Sequence, residues 1–357
     1  MAYTNIDDPS AHFQTAVYTG SNSNQSITND GNSDLQPDWI WANYVTAPSY
    51  TNHRGMIDSS RGRAKILHSD DSSAEQTTTN AAYDLVSFDT DGFTVGAVNS
   101  ISSLNASGIT NVAYQWKANG GTTSTNTNGS ITSTVQVNAD AGFSIVTYTG
   151  TGSAGTVGHG LGVAPDTIIT KNRDTTANWY IKHHKHTNNY GYINLDLEAY
   201  FVNNDSVWTQ TDPTSTVYSI GTASGISQNN SNMVAYCFAE KQGYSKFGIY
   251  YGNQNANGPF VHTGFKPAFI LVKSNSNYKY WYAYSNKRPG YNVTNLGMPV
   301  SVNSGETSSG IDVDFLSNGF KMRAASTTVN TASTIHYYWA FAEQPFVTST
   351  GIPATAR

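Results

Sequence analysis

Apolar residues in this chain alternate with polar ones over short runs, and almost nowhere recur at the three-to-four spacing of a helix. In FSIVTYTG (143–150), Phe143, Ile145 and Thr147 fall on one side and Ser144, Val146 and Tyr148 on the other. Period two is the strand signature. Two runs that follow a proline are apolar on both faces: Ile168 and Thr170 against Ile169, and Ile270 and Val272 against Phe269 and Leu271. Such a strand is central in its sheet, or its outer face is covered by a neighbouring unit. Asp91-Gly92 and Asn318-Gly319, each before a phenylalanine, predict tight turns. The one helical candidate is the short piece LEAYF (197–201).

These patterns occur three times in the same order. A strand ending in tyrosine and glycine opens each copy: FQTAVYTG (13–20), FSIVTYTG (143–150) and SKFGIYYG (245–252). A proline-led strand follows, in QPDWIWAN (36–43), VAPDTIITK (163–171) and KPAFILVK (266–273). Pro37, Pro165 and Pro267 lie 128 and 102 residues apart. Next come DGFTVG (91–96), TVYSIG (216–221) and NGFKMR (318–323), then a closing strand, NVAYQWKA (111–118), NMVAYCFAE (232–240) or IHYYWAFAE (335–343). The expectation is an all-β chain of three tandem antiparallel β-sandwiches of about 100 residues each, jelly-roll-like or Ig-like. The expected borders are an arm at 1–12, repeats at 13–121, 139–243 and 244–346, a Thr/Ser/Asn-rich flexible linker at 122–138, and a tail at 347–357. The junction FAEKQGYSKFG leaves no linker between the second and third repeats, so it should be rigid. If the alignment holds, Ile40, Ile168 and Ile270 are all buried.

Composition narrows the function classes. Of 357 residues only 12% are charged, and Ser, Thr, Asn and Gln carry the polar work, with 31 Gly and 23 Tyr. The net charge is −5 and Lys and Arg form no block, which argues against nucleic acid as a partner. No apolar run is long enough to span a membrane, and MAYTNIDDPS shows no secretion signal. Cys237 is the only cysteine, so an intrachain disulfide and a cysteine-rich zinc site are excluded.

Several stretches could carry chemistry. GTGSAG (150–155) matches a dinucleotide fingerprint, but TVGHGLGVAP cannot start the helix that must follow. KHHKH (182–186) has three histidines, with His184 and His186 on one strand face, no carboxylate at ligand spacing nearby, and Asp196 the nearest one downstream. A solvated loop or edge is the expectation there. Cys237 is read as a buried, inert thiol. Asp312 and Asp314 share a strand face but nothing brings a second acid to them. Glu240 and Glu343 recur after the closing strand and are read as structural. KYWYAYSNKRPGY (279–291) is the leading surface candidate. Trp281 is assigned to the core because Trp179 recurs at its place, while Tyr280, Tyr282, Tyr284, Arg288 and Tyr291 could form a glycan or partner surface. No cofactor, metal or catalytic residue is expected.

The ordered set of YTG, HGLGVAPDTIITKNR, NSNMVAYCFAEKQGYSKFGIYYGN, GPFVHTGFKPAFILVK, DFLSNGF and WAFAEQPF resembles a repeated domain of unknown function. It is similar to tail-fibre or virion structural proteins of tailed bacteriophages, marine ones especially. The resemblance covers nearly the whole chain and brings no catalytic residue with it. It implies a non-enzymatic virion protein, made in the host cytoplasm and placed on the tail or outer surface. Its partners would be other virion proteins, further copies of itself and host-surface polysaccharide. The alternatives are a head-surface decoration or joining protein with no ligand, and a surface-polysaccharide depolymerase. The first repeat begins directly after MAYTNIDDPSAH and no coiled-coil heptads occur, so a fibrous trimeric shaft is not expected.

Overall fold

The computed structural model describes residues 2–46, 53–98, 104–186, 188–276, 278–288, 291–308 and 310–354. The first repeat contains β1 (Phe13–Thr19), β2 (Gln25–Ile27), β3 (Trp39–Tyr44), β4 (Gly55–Asp58), β5 (Lys65–His68), β6 (Gln76–Thr77), β7 (Leu85–Asp89), β8 (Gly92–Val95) and β9 (Thr110–Trp116). The second contains β10 (Ser124–Asn126), β11 (Ser133–Asn138), β12 (Phe143–Thr149), β13 (Gly155–Gly158), β14 (Thr167–Asn172), β15 (Tyr180–His183), β16 (Gly191–Asn194), β17 (Val202–Asn203), β18 (Val217–Ile220) and β19 (Asn232–Phe238). The third contains β20 (Ser245–Tyr251), β21 (Phe260–His262), β22 (Phe265–Ser274), β23 (Trp281–Ser285), β24 (Met298–Pro299), β25 (Val313–Leu316), β26 (Gly319–Met322) and β27 (Ile335–Pro345).

The same strand order recurs in each large sheet: β1-β9-β3-β4-β5, β12-β19-β14-β15-β16 and β20-β27-β22-β23-β24. All pairings within these sheets are antiparallel, and a small sheet built on β2-β8, β13-β18 or β21-β26 faces each one. The fold is all-β and made of β-sandwiches. Register is identical too: Ile40 pairs with Gln115, Ile168 with Cys237 and Ile270 with Ala340. All three isoleucines are fully buried, each between its own large and small sheets.

The opposite faces of the large sheets explain the doubly apolar strands. Trp39 and Trp41, Ile169, and Phe269 and Leu271 point away from their own sandwich into one central cluster shared by all three repeats. The closing strands add Tyr114 and Trp116, Tyr236 and Phe238, and Trp339 and Phe341. Rings meet across every seam: Trp39 on Tyr236 at 4.3 Å, Phe238 with Phe341 at 5.8 Å, and Phe13 with Phe341 at 5.2 Å. The first repeat therefore touches the third as closely as its sequence neighbour, and the repeats close into a ring.

The ring has cyclic hydrogen bonds. Trp179 Nε1 donates to the His68 carbonyl (2.6 Å), Trp281 Nε1 to the Asn194 carbonyl (2.8 Å), and Arg54 Nε to the Pro299 carbonyl (2.8 Å). These donors share one register position and so do the acceptors, each bond crossing to a different repeat. The accessible surface is 12580 Å². A single globule of this mass, 38.5 kDa, should expose about 14,000 Å², and three separate 100-residue units about 19,000 Å². The molecule is close to the first value.

Four expectations need correction. The flexible linker at 122–138 instead holds β10 and β11, which extend the second repeat's sheet into an eight-stranded one. Val135 is buried beside Val146, so alternating valines outweigh the loop-like Thr/Ser/Asn composition. LEAYF (197–201) is not helical, and a short helical turn lies at Ser224–Ser227 instead. Pro37 and Pro165 precede their strands, whereas Pro267 sits inside β22 at a register irregularity, a place where a missing N–H is tolerated. The sandwiches are also not independent, because the outer faces of their large sheets form one core.

Candidate functional site

The aromatic segment after Pro267 does not form one surface. Strand alternation places Tyr282 and Tyr284 on the inner face of β23, where both are buried against Ile311, Val313 and Phe315. Gly297 makes room for them; a Cβ there would lie 3.2 Å from each ring. Trp281, on the other face, is fully buried in the central cluster, like Trp179. Tyr280 is half-buried, and a hydrogen bond to Glu198, aided by burial, pushes its hydroxyl up to about 12. Arg288 grips Glu306 with two bonds, at 2.6 and 3.2 Å. Tyr291 is the one member that is well exposed, at 68%. Pro289 and Gly290 lie outside the described residues. The reading of Tyr280, Tyr282, Tyr284, Arg288 and Tyr291 as a joint glycan surface is thus corrected: the strand's period commits two of them to the core.

Arg288 has a structural meaning that spacing alone did not reveal. It stands three residues after Ser285, as Arg61 does after Asp58 and His186 after His183; Ser285, Asp58 and His183 share one register position. Arg61 pairs with Glu75 at 2.9 Å, Arg288 pairs with Glu306, and the His186 ring packs at a tilt against Phe201 at 4.3 Å. Each pair sits at a seam. Glu75 also binds Arg173 of the second repeat through two 2.8 Å bonds, and its amide donates to the Arg173 carbonyl. The Glu306 amide donates to the Val45 carbonyl of the first repeat. The Phe201 amide donates to Asn275 Oδ1 of the third. Burial opposes the Glu75 charge, but Arg173 and Arg61 hold its carboxyl below the ordinary range.

Two of the three histidines therefore depart from the solvated-loop expectation, while His184 lies exposed in the turn after β15. His183 and His186 are packed against Tyr337 of the third repeat, at 5.3 and 4.9 Å. Burial pushes His183 well below its ordinary value and His186 down to about 3. His184 Nδ1 lies 2.8 Å from Asp166, a carboxylate that sequence distance concealed, and Nε2 lies 2.7 Å from the Phe247 carbonyl. Burial works against the His184 charge, yet these partners raise its pKa. Among the described residues no group of three His, Cys, Asp or Glu side chains is placed to hold a metal ion.

The remaining candidates resolve individually. Cys237 is fully buried, and burial pushes its thiol up. Asp314 is paired with Arg323 at 3.2 Å. Glu240 Oε1 accepts from the Phe247 amide at the start of the third repeat, and Glu343 Oε2 accepts from Asn286 Nδ2. GTGSAG spans the loop between β12 and β13 and ends on the first residue of β13.

A pocket of about 530 Å³ opens in the second sandwich beside Ile168. Its wall includes Asp166, Lys182, His184, Asn189, Asp212 and Pro213. Lys182 is 5% exposed, its ammonium donates to the Asn189 carbonyl and lies 5.9 Å from the Trp208 ring centre. Burial lowers Lys182 to about 8, with Asp212 acting in the other direction. The sequence signal for this site was available: Lys182 shares its register position with Ile57 and Tyr284.

No curated protein and no solved structure matches this chain. One family description matches residues 8–345, which takes in all three repeats as a single unit. The chain belongs to that family, the domain of unknown function DUF7483.

Proposed function

We propose that this chain is a non-enzymatic structural protein of a bacteriophage virion, a tail-fibre or receptor-binding component that contacts host-surface glycan. One observation carries the reading. The charged side chains Arg61, Glu75, Arg173, Arg288 and Glu306 are spent on the seams between repeats, while the loops after each opening strand stay exposed and differ between copies. These loops read SNSN (21–24), TGSA (151–154) and NQNAN (253–257). A rigid scaffold that varies its loops is built for recognition. The motif resemblance and the low charge support the virion setting. The test is antibody labelling of phage particles for the chain, with binding of the purified protein to host envelopes and competition by host polysaccharide. Tail labelling with competed binding supports the reading.

A second reading, a head-surface decoration or joining protein with no ligand, draws on the burial of Tyr282 and Tyr284, which removes the aromatic platform. Head labelling without envelope binding would favour it. Release of reducing ends from the polysaccharide would replace both with a depolymerase.

A further inference from the structure

We infer that the pocket in the second sandwich is a binding site for a neutral saccharide unit, with Lys182 at its floor and Asp212 at its rim. The inference starts from a broken symmetry. At the register position of Lys182 the other repeats place Ile57 and Tyr284, both buried and both filling their own sandwich cores. The second repeat gives up that apolar side chain for an ammonium. A buried lysine costs stability unless it is solvated or paired. Its ammonium has three donors, and among the described residues one of them has a protein acceptor, the Asn189 carbonyl.

The second departure is in the sheets. Among the described residues, the first and third repeats close with three-stranded small sheets, β2-β8-β7 and β21-β26-β25, while the second has only β13-β18. The opening lies in this repeat, and Asp212 and Pro213, on the segment leading into β18, form part of its wall. Lysine and opening thus occur together in the one copy that lacks the strand.

The lining selects the ligand class. Lys182 offers hydrogen bonds and Asp212 accepts them, and the side-chain oxygen of Asn189 remains an acceptor because its amide donates to the Gln210 carbonyl. Asp166 is already engaged by His184 and by the Glu240 amide. The lining thus offers both donors and acceptors, with charges of both signs. A phosphate would face Asp212 and Asp166 as like charges, whereas a sugar hydroxyl both donates and accepts. This deepens the proposed glycan contact and rests on it for the source of the sugar.

The test is ligand-observed NMR with the full chain against a panel of neutral mono- and disaccharides, with inorganic phosphate as the anionic probe. Binding of at least one saccharide is expected. Lys182→Ile should lose at least tenfold in affinity while its melting temperature holds or rises, because it restores the residue type of the first repeat. Asp212→Asn, at an exposed position, should weaken binding with folding unchanged. A saccharide bound equally by Lys182→Ile would overturn the site but leave the glycan reading standing. Phosphate binding without saccharide binding would overturn the ligand class. If neither probe binds, the pocket proposal fails, and envelope binding decides the broader reading separately. A marked drop in the melting temperature of Lys182→Ile would make Lys182 structural and contradict the inference.

Discussion

At the scale of single residues, the recurring tyrosine and glycine of the opening strands have a shared physical cause. Tyr18, Tyr148 and Tyr250 are buried, and their hydroxyls donate to the carbonyls of Leu104, Ile226 and Val329 at 2.6, 2.8 and 2.5 Å. Two residues on, a Cβ at Gly20, Gly150 or Gly252 would lie 2.2, 2.3 or 2.1 Å from a backbone carbonyl of the same loop. Tyr148→Phe, which strands the Ile226 carbonyl, should cost about 1–3 kcal/mol in denaturant unfolding. Gly150→Ala must displace backbone and should cost a similar amount, about 1–3 kcal/mol. His186 gives a pH dependence. Its folded pKa lies below its unfolded value, so below about pH 6.5 the unfolded chain takes up a proton that the folded one refuses until about 3. Stability should fall as pH drops through that window; His183 adds to the loss, and the raised His184 opposes it. Melting temperatures between pH 7.5 and 4 should drop less steeply in His186→Phe. An unchanged slope would mean that His186 is not the residue responsible.

At the scale of elements, the proline-led strands were readable because both period and offset repeated. Ile168→Ala should cost roughly 2–5 kcal/mol, and Ile40→Ala and Ile270→Ala likewise, since each empties a fully buried site. The strands β10 and β11 were missed because composition was weighed above the Val135–Val137 alternation. The Tyr282–Tyr284 assignment failed for the same reason: aromatic content was weighed above a period that places both inside. The seam pairs were out of reach. Arg61 lies in the β4–β5 turn and Glu75 in the loop before β6, and only the folded strands show that Arg288–Glu306 and His186–Phe201 occupy the same place. Glu75→Ala would leave Arg61 and Arg173 without their shared carboxylate and should cost about 3 kcal/mol. Glu75→Gln, which keeps one acceptor, should cost less in the same unfolding measurement.

At the scale of the whole molecule, the sequence disclosed the repetition but not its closure. Phe269 and Leu271 opposite Ile270 announced that both faces of the strand were covered, without saying by what. The answer needs the third repeat to reach the first, through Phe13, Phe341, Arg54 and Pro299, and no local pattern encodes a contact so distant in the chain. The N-terminal arm reinforces the ring: Ile6 enters the central cluster, and Tyr3 and Thr4 donate to the carbonyls of Gly264 and Gln242. One shared core means one cooperative unit. Differential scanning calorimetry of the intact chain tests this most directly. The account predicts a single transition in which the calorimetric enthalpy equals the van't Hoff enthalpy; two or three resolved transitions, each carrying part of the enthalpy, would contradict it.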